Sequence, residues 1–204
     1  MNEQAAPTKA ENSAWAEFAT PFTVKELKSF CHDDVERLFR INPYLEFKKW
    51  EKMQDKQFHV EGVNISQGEP VGFDYEMTVA ETDDGLKVTY KNALKLSTTF
   101  KIDKAEQGSK LVIIDEYANL SEEEAAARSK EVDQSLVTWA NYLQRYMLMW
   151  QKWSWLSPWR WYMKRLWQPM KPMSRRICYM LWWITLFEIA LIALGVAIYF
   201  AEYA

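Results

Sequence analysis

Residues 177–200 read ICYMLWWITLFEIALIALGVAIYF, a run of 24 residues with one ionisable side chain, Glu188. A helix rises about 1.5 Å per residue, so this run would be about 36 Å long, enough to cross a hydrocarbon core of about 30 Å. It lacks the polar face that a helix buried on one side turns to water. The segment therefore predicts a transmembrane helix. It stops four residues before the last residue of the sequence, too late for a cleaved signal peptide. The polar stretch MNEQAAPTKAENS at the other end has no apolar core of its own. The expectation is a single-pass, tail-anchored protein with a short tail at 201–204. Lys171, Arg175 and Arg176 precede the span and only Glu202 follows it. Basic flanks stay on the cytoplasmic side, so the body is expected in the cytoplasm and the tail across the membrane.

Charge divides the chain in the same way. The net charge of −3 conceals 18 basic and 26 acidic residues before position 151, against seven basic and two acidic residues after it. An acidic body joined to a basic, apolar end predicts membrane lipid as a partner and excludes nucleic acid. The two cysteines, Cys31 and Cys178, and the two histidines, His32 and His59, supply neither a disulfide framework nor metal-ligand spacing. No metal and no cofactor are expected. Glu188 sits at mid-span, where a carboxylate is costly unless it is protonated, paired or turned toward protein. It is read either as a contact with a partner helix or as a protonated side chain in a tolerant anchor.

Residues 153–176, WSWLSPWRWYMKRLWQPMKPMSRR, form the bridge to the span. Together with Trp150 they place six tryptophans within 18 residues, and tryptophan favours the headgroup level of a bilayer. Ser157-Pro158 is a helix start. From there Trp159, Met163, Leu166 and Met170 share one helical face, with Arg160, Lys164 and Lys171 on another, until Pro169 and Pro172 break the helix. The expectation is an interfacial helix in the membrane plane, with Trp155, Trp159, Arg160, Lys164, Arg165, Trp167, Arg175 and Arg176 at the lipid surface. The alternative is that these tryptophans pack on the body or on a partner subunit.

The body spans residues 15–152, after a leader at 1–14 expected to be disordered. A strand-like stretch from Trp15 to Phe22 is followed by Thr23, with Glu26 at the third helical position of a capping box. A second short helix stops at Asn42-Pro43. Six runs with period-two alternation follow, including GFDYEMTVAE and LKLSTTFKID, with a hairpin turn at Asp84-Gly85. In LKLSTTFKID the alternation turns Leu94, Leu96, Thr98, Phe100 and Ile102 to one side. Residues 121–150 then predict one long helix, capped by Ser121 with Glu124, whose apolar stripe includes Val132, Leu136, Trp139, Leu143 and Met147. Hairpin-linked strands form an antiparallel sheet with one face to bury, and this helix is the element large enough to cover it. The fold class is α+β.

No catalytic motif is present, and no catalytic residue is assigned. Cys31-His32 reads as incidental. His59 is expected on the outer face of its strand. Asp115 falls on the same side as Leu111 and Ile113, so it is either a polar group inside the sheet or a charge at the sheet edge reaching water.

The element order resembles the helix-grip fold of the START-like, or SRPBCC, superfamily over residues 15–152. The resemblance is carried by the strand–helix–helix start from Phe18 to Ile41, the strand NPYLEFKKWEKM and the YANL-SEEE junction. It implies a cavity between sheet and long helix that takes an apolar or amphipathic ligand. The expected wall is Phe73, Tyr75, Met77, Tyr90, Leu96, Phe100, Ile113, Asp115 and Tyr117, facing Trp139, Leu143 and Met147. The functional expectation is a membrane-anchored module that binds or transfers an apolar small molecule such as a lipid, quinone or isoprenoid. The alternative is an accessory or assembly subunit docking on a membrane-protein partner through its span and tryptophan belt. A third is a cyclase-type enzyme using Asp115 or His59.

Overall fold

Thr23 opens the first helix as its sequence signature requires. The backbone N–H of Glu26 donates to the Thr23 hydroxyl at 3.3 Å, and the Glu26 carboxylate accepts from the Thr23 N–H at 2.8 Å. Helix α1 runs Val24–Asp33. Asp34 then accepts from the Arg37 N–H at 3.0 Å and starts α2, Val35–Arg40, which ends before Asn42-Pro43. The computed structural model describes residues 13–66, 68–118 and 135–203. Residues 1–12 of the expected leader and the expected Ser121–Glu124 cap, with Val132, lie outside the described residues, while Ser13 and Ala14, expected in the leader, belong to the first strand.

Around these helices run the strands β1 (Ser13–Thr20), β2 (Leu45–Gln54), β3 (Gln57–Asn64), β4 (Val71–Thr82), β5 (Gly85–Lys91), β6 (Lys95–Lys104) and β7 (Ser109–Tyr117). They form one antiparallel sheet in the order β1-β7-β6-β5-β4-β3-β2. The β4–β5 hairpin turns on Asp83-Asp84, one residue earlier than the sequence suggests. Gly85 instead opens β5, paired with Thr82, where a Cβ would overlap the carbonyl oxygen of Phe100.

The long helix α3, Leu136–Trp153, lies against the sheet. It buries Leu136, Trp139, Ala140, Leu143, Tyr146 and Met147. Trp139 packs edge-on against Phe100 with ring centroids 5.6 Å apart, and its Nε1 donates to the Leu38 carbonyl at 2.8 Å. Asn42 reaches Ser135 at 2.7 Å, so α2 is fixed to the start of α3. These contacts join sheet, α2 and α3 into one core, the α+β arrangement expected of the sequence.

Beyond α3 the chain turns into α4, Ser157–Tyr162, continues through a π-helical turn, Met163–Trp167, and enters α5, Pro172–Tyr203. The helix begins at Ser157 itself, with Leu156 at the cap position and no side-chain cap. Met163 is 2% exposed and joins the body's core. Trp159, Tyr162 and Trp167 pack partly buried beside it. The stripe expected on lipid thus turns partly toward protein, while Trp155 and Trp161 stay 73% and 60% exposed. Among the described residues, one helix, Pro172–Glu202, is long and apolar enough to cross a membrane, and none of its apolar window is buried against the body.

Candidate functional site

The sheet does not close completely on α3. At the end where β2, β4 and β6 begin and β3 and β5 finish, a pocket of about 360 Å³ remains, near the lower bound of a small-molecule site. Four of the residues expected on its wall line it: Phe73, Tyr75, Tyr90 and Trp139. Phe39 of α2, Leu45 of β2, Asn64 of β3, Val71, Gly72 and Asp74 of β4, the β5–β6 connection Asn92–Leu94 and Lys95 of β6 complete the lining. The wall is aromatic because the rings stack in sequence along the sheet. Phe47 meets Phe73 at 5.6 Å, Phe73 meets Tyr75 at 5.1 Å and Tyr75 meets Tyr90 at 5.1 Å. Phe73 has room because Gly62 lies across from it on β3, where a Cβ would overlap the ring and the Glu46 carbonyl. Met77, Phe100, Ile113, Leu143 and Met147 are buried in the packed core and do not border the pocket.

The expected alternation fails at Leu96. β6 carries a bulge, pairing Lys95 with Tyr117 but Ser97 with Glu116, so one residue is extra on its strand. Leu96 is 47% exposed on the outer side, and Lys95 takes the inward place. Asn92, in the connection just before the strand, has a left-handed φ of 63°.

The bulge assembles a polar group behind the aromatic wall. Asp115 is fully buried and pairs with the Lys95 ammonium at 2.7 Å. It also accepts from the Thr98 hydroxyl at 2.5 Å, and Thr98 shares a hydrogen bond with the Tyr90 hydroxyl at 2.9 Å. Burial pushes the Tyr90 phenol well above its ordinary value, which keeps it a neutral hydroxyl at physiological pH. Tyr117 lies 5.8 Å from the Lys95 ammonium, its ring under the charge. A buried carboxylate is tolerable only with such partners. The arrangement can present a hydroxyl, an ammonium and the amides of Asn64 and Asn92 to a ligand otherwise held by rings. The histidines lie outside the lining, although His59 reaches it through Asp74. His59 bonds Asp74 at 2.7 Å and His32 contacts the Gly85 carbonyl at 3.0 Å, and neither lines the pocket.

No family profile and no curated protein matches the chain. Solved structures do. A protein from Thermus thermophilus gives a TM-score of 0.50 at 14% identity, over 67% of this chain and 97% of that one. A Rhodobacter sphaeroides protein gives 0.47 at 12% identity, over 72% and 97% of the two chains. A Polyketide_cyc-like protein from Corynebacterium glutamicum gives 0.38 at 10%, over 70% and 94%. The chain has the helix-grip fold. The sheet and α3 of this helix-grip body account for the pocket, and the remaining elements attach beside it.

That attachment is made by main-chain acceptors. Arg175, in the first turns of α5, donates to the carbonyls of Arg40, Trp167 and Gln168 at 2.6, 3.0 and 2.8 Å, and its guanidinium lies 4.0 Å from the Trp167 ring. Gln168 reaches Asp34 at 3.0 Å, and Lys171 pairs with Glu46 at 3.8 Å. Arg40 ends the helix that supplies Phe39 to the pocket, and Glu46 follows Leu45 on its rim. Arg175 of α5 and Lys171 just before it therefore contact the same two elements, α2 and β2, that frame one side of the pocket. Of the other residues expected at a lipid surface, Arg160 bonds Ser157 at 3.3 Å, and Lys164, Arg165 and Arg176 are exposed, as are Trp155 and Trp161.

Proposed function

We propose that this chain is a membrane-anchored module that takes an apolar or amphipathic small molecule into its helix-grip pocket. The observation that carries this reading is the shared support just described. The pocket is bounded by α2 and β2; Arg175 of α5 bonds the end of α2, and Lys171, the residue before α5, pairs with Glu46 of β2. In a bilayer, that geometry keeps the pocket beside the headgroups, so an apolar ligand has a short path out of the membrane. The ring-lined wall suits a flat or branched apolar body, and the hydroxyl and amide groups suit an oxygen-bearing end. Trp155, Trp161 and the basic side chains of 160–176 would rest at the interface. Their charge supports the body on the cytoplasmic side.

Mass spectrometry of the full chain, purified in mild detergent, tests the reading. A lipid or quinone-like molecule should accompany the wild type and be lost from Ala93→Trp, which fills the pocket, while the circular dichroism spectra match. A wild-type protein that carries nothing apolar would sink the proposal.

A further inference from the structure

The helix α5 carries a pattern that the body does not use. Within the span, Cys178, Thr185, Glu188 and Gly195 are separated by seven, three and seven residues. These spacings put all four on one seam of period 3.5, the repeat with which two helices wrap around each other. Every carboxyl, aliphatic hydroxyl, thiol and glycine of the span lies on that line. Tyr179 and Tyr199, at its two ends, are the only other residues with polar hydrogens apart from the indoles.

Gly195 supplies an independent observation. Glycine weakens a helix interior, and here nothing in the chain needs it: a Cβ at this position would meet no atom within 4 Å. A bare backbone one heptad on from Glu188 is what close approach of a second helix requires. None of the apolar window is buried against the body, so the seam is open along its length.

We infer that α5 pairs in parallel with a second copy of itself through this seam, Glu188 against Glu188. The choice of a second copy follows from the chemistry of the carboxyl group. An ionised carboxylate in hydrocarbon needs a cation, and residues 177–200 contain no Lys or Arg. A carboxylic acid carries one donor and one acceptor, so two of them across a twofold axis satisfy each other. The twofold also brings Gly195 against Gly195, where the backbones can touch, and it leaves both bodies on one side of the membrane.

This inference rests on the proposed membrane span, and the experiment separates the two. Donor- and acceptor-labelled copies of the full chain are reconstituted together in phosphatidylcholine vesicles. Flotation reports insertion and energy transfer reports pairing. Transfer should rise with the protein-to-lipid ratio. Glu188→Leu and Gly195→Leu should each weaken association by roughly tenfold. Glu188→Gln, which still donates and accepts, should stay within about threefold of wild type, and Phe187→Leu, off the seam, should change nothing. Failure to float overturns the span and the pairing with it. Flotation without energy transfer, or transfer that survives Glu188→Leu, overturns the pairing and leaves the span standing.

Discussion

Asp115 shows what one residue of register does. Its carboxylate is fully buried between Lys95 and Thr98, so removing it strands an ammonium behind the pocket wall. Asp115→Ala should lower unfolding free energy by about 3 kcal/mol in urea titrations of the detergent-solubilised chain, and adding Lys95→Met should recover part of that loss. Gly62→Ala should cost about 1–3 kcal/mol and reduce the yield of bound lipid, because the new methyl group displaces the Phe73 ring. The alternation of β4 and β5 was enough to turn Phe73, Tyr75 and Tyr90 inward. It was not enough at Leu96. A bulge adds a residue without changing residue types, so an unbroken polar–apolar pattern concealed the inversion of Lys95 and Leu96. Gly62 was equally silent, since its reason for being there is a ring on the neighbouring strand.

Elements join through contacts of different kinds, and acid separates them. On the outer face of the sheet, Glu116 of β7 accepts from Ser97 of β6 at 2.6 Å and from Lys87 of β5 at 3.1 Å. These bonds hold its carboxyl below the ordinary value of 4.5. A lowered folded value means that the contribution is complete above pH about 4.5 and is lost as pH falls through the folded value. Glu116→Gln should therefore lower stability at neutral pH and flatten the acid limb of the stability–pH curve, so that variant and wild type converge below the folded value. Helix α4 and the π-helical turn after it separate folding from surface roles. Met163→Lys buries a charge in the core and should destabilise the body by more than about 2 kcal/mol in thermal melts. Trp161→Lys should leave the melt unchanged and weaken binding to anionic vesicles. The sequence announced α1 through Thr23 and Glu26, because a capping box is written in side chains. It left α4 undecided, because a stripe of Trp, Met and Leu suits lipid and protein equally. The tie was broken by partners far away in the chain, such as the Tyr146 ring 5.4 Å from Trp167.

At the scale of the whole molecule, the apolar run and the strand succession were legible from composition and period alone. The seam between body and α5 was not, since the acceptors of Arg175 are carbonyls, which every residue possesses. Arg175→Met should release the joint. Spin labels placed on β4 and on α5 should give a narrow distance distribution in the wild type and a broad one in the variant, with an unaltered melt of the body. In the proposed membrane-anchored state, Arg175 and Lys171 would tie the base of the span to α2 and β2. A helix of fixed length leans when the bilayer around it thins, and in that state the lean would reach the rim at Leu45 through this joint, as a rudder follows its post. Bilayer thickness would then set the angle at which the pocket meets the headgroups.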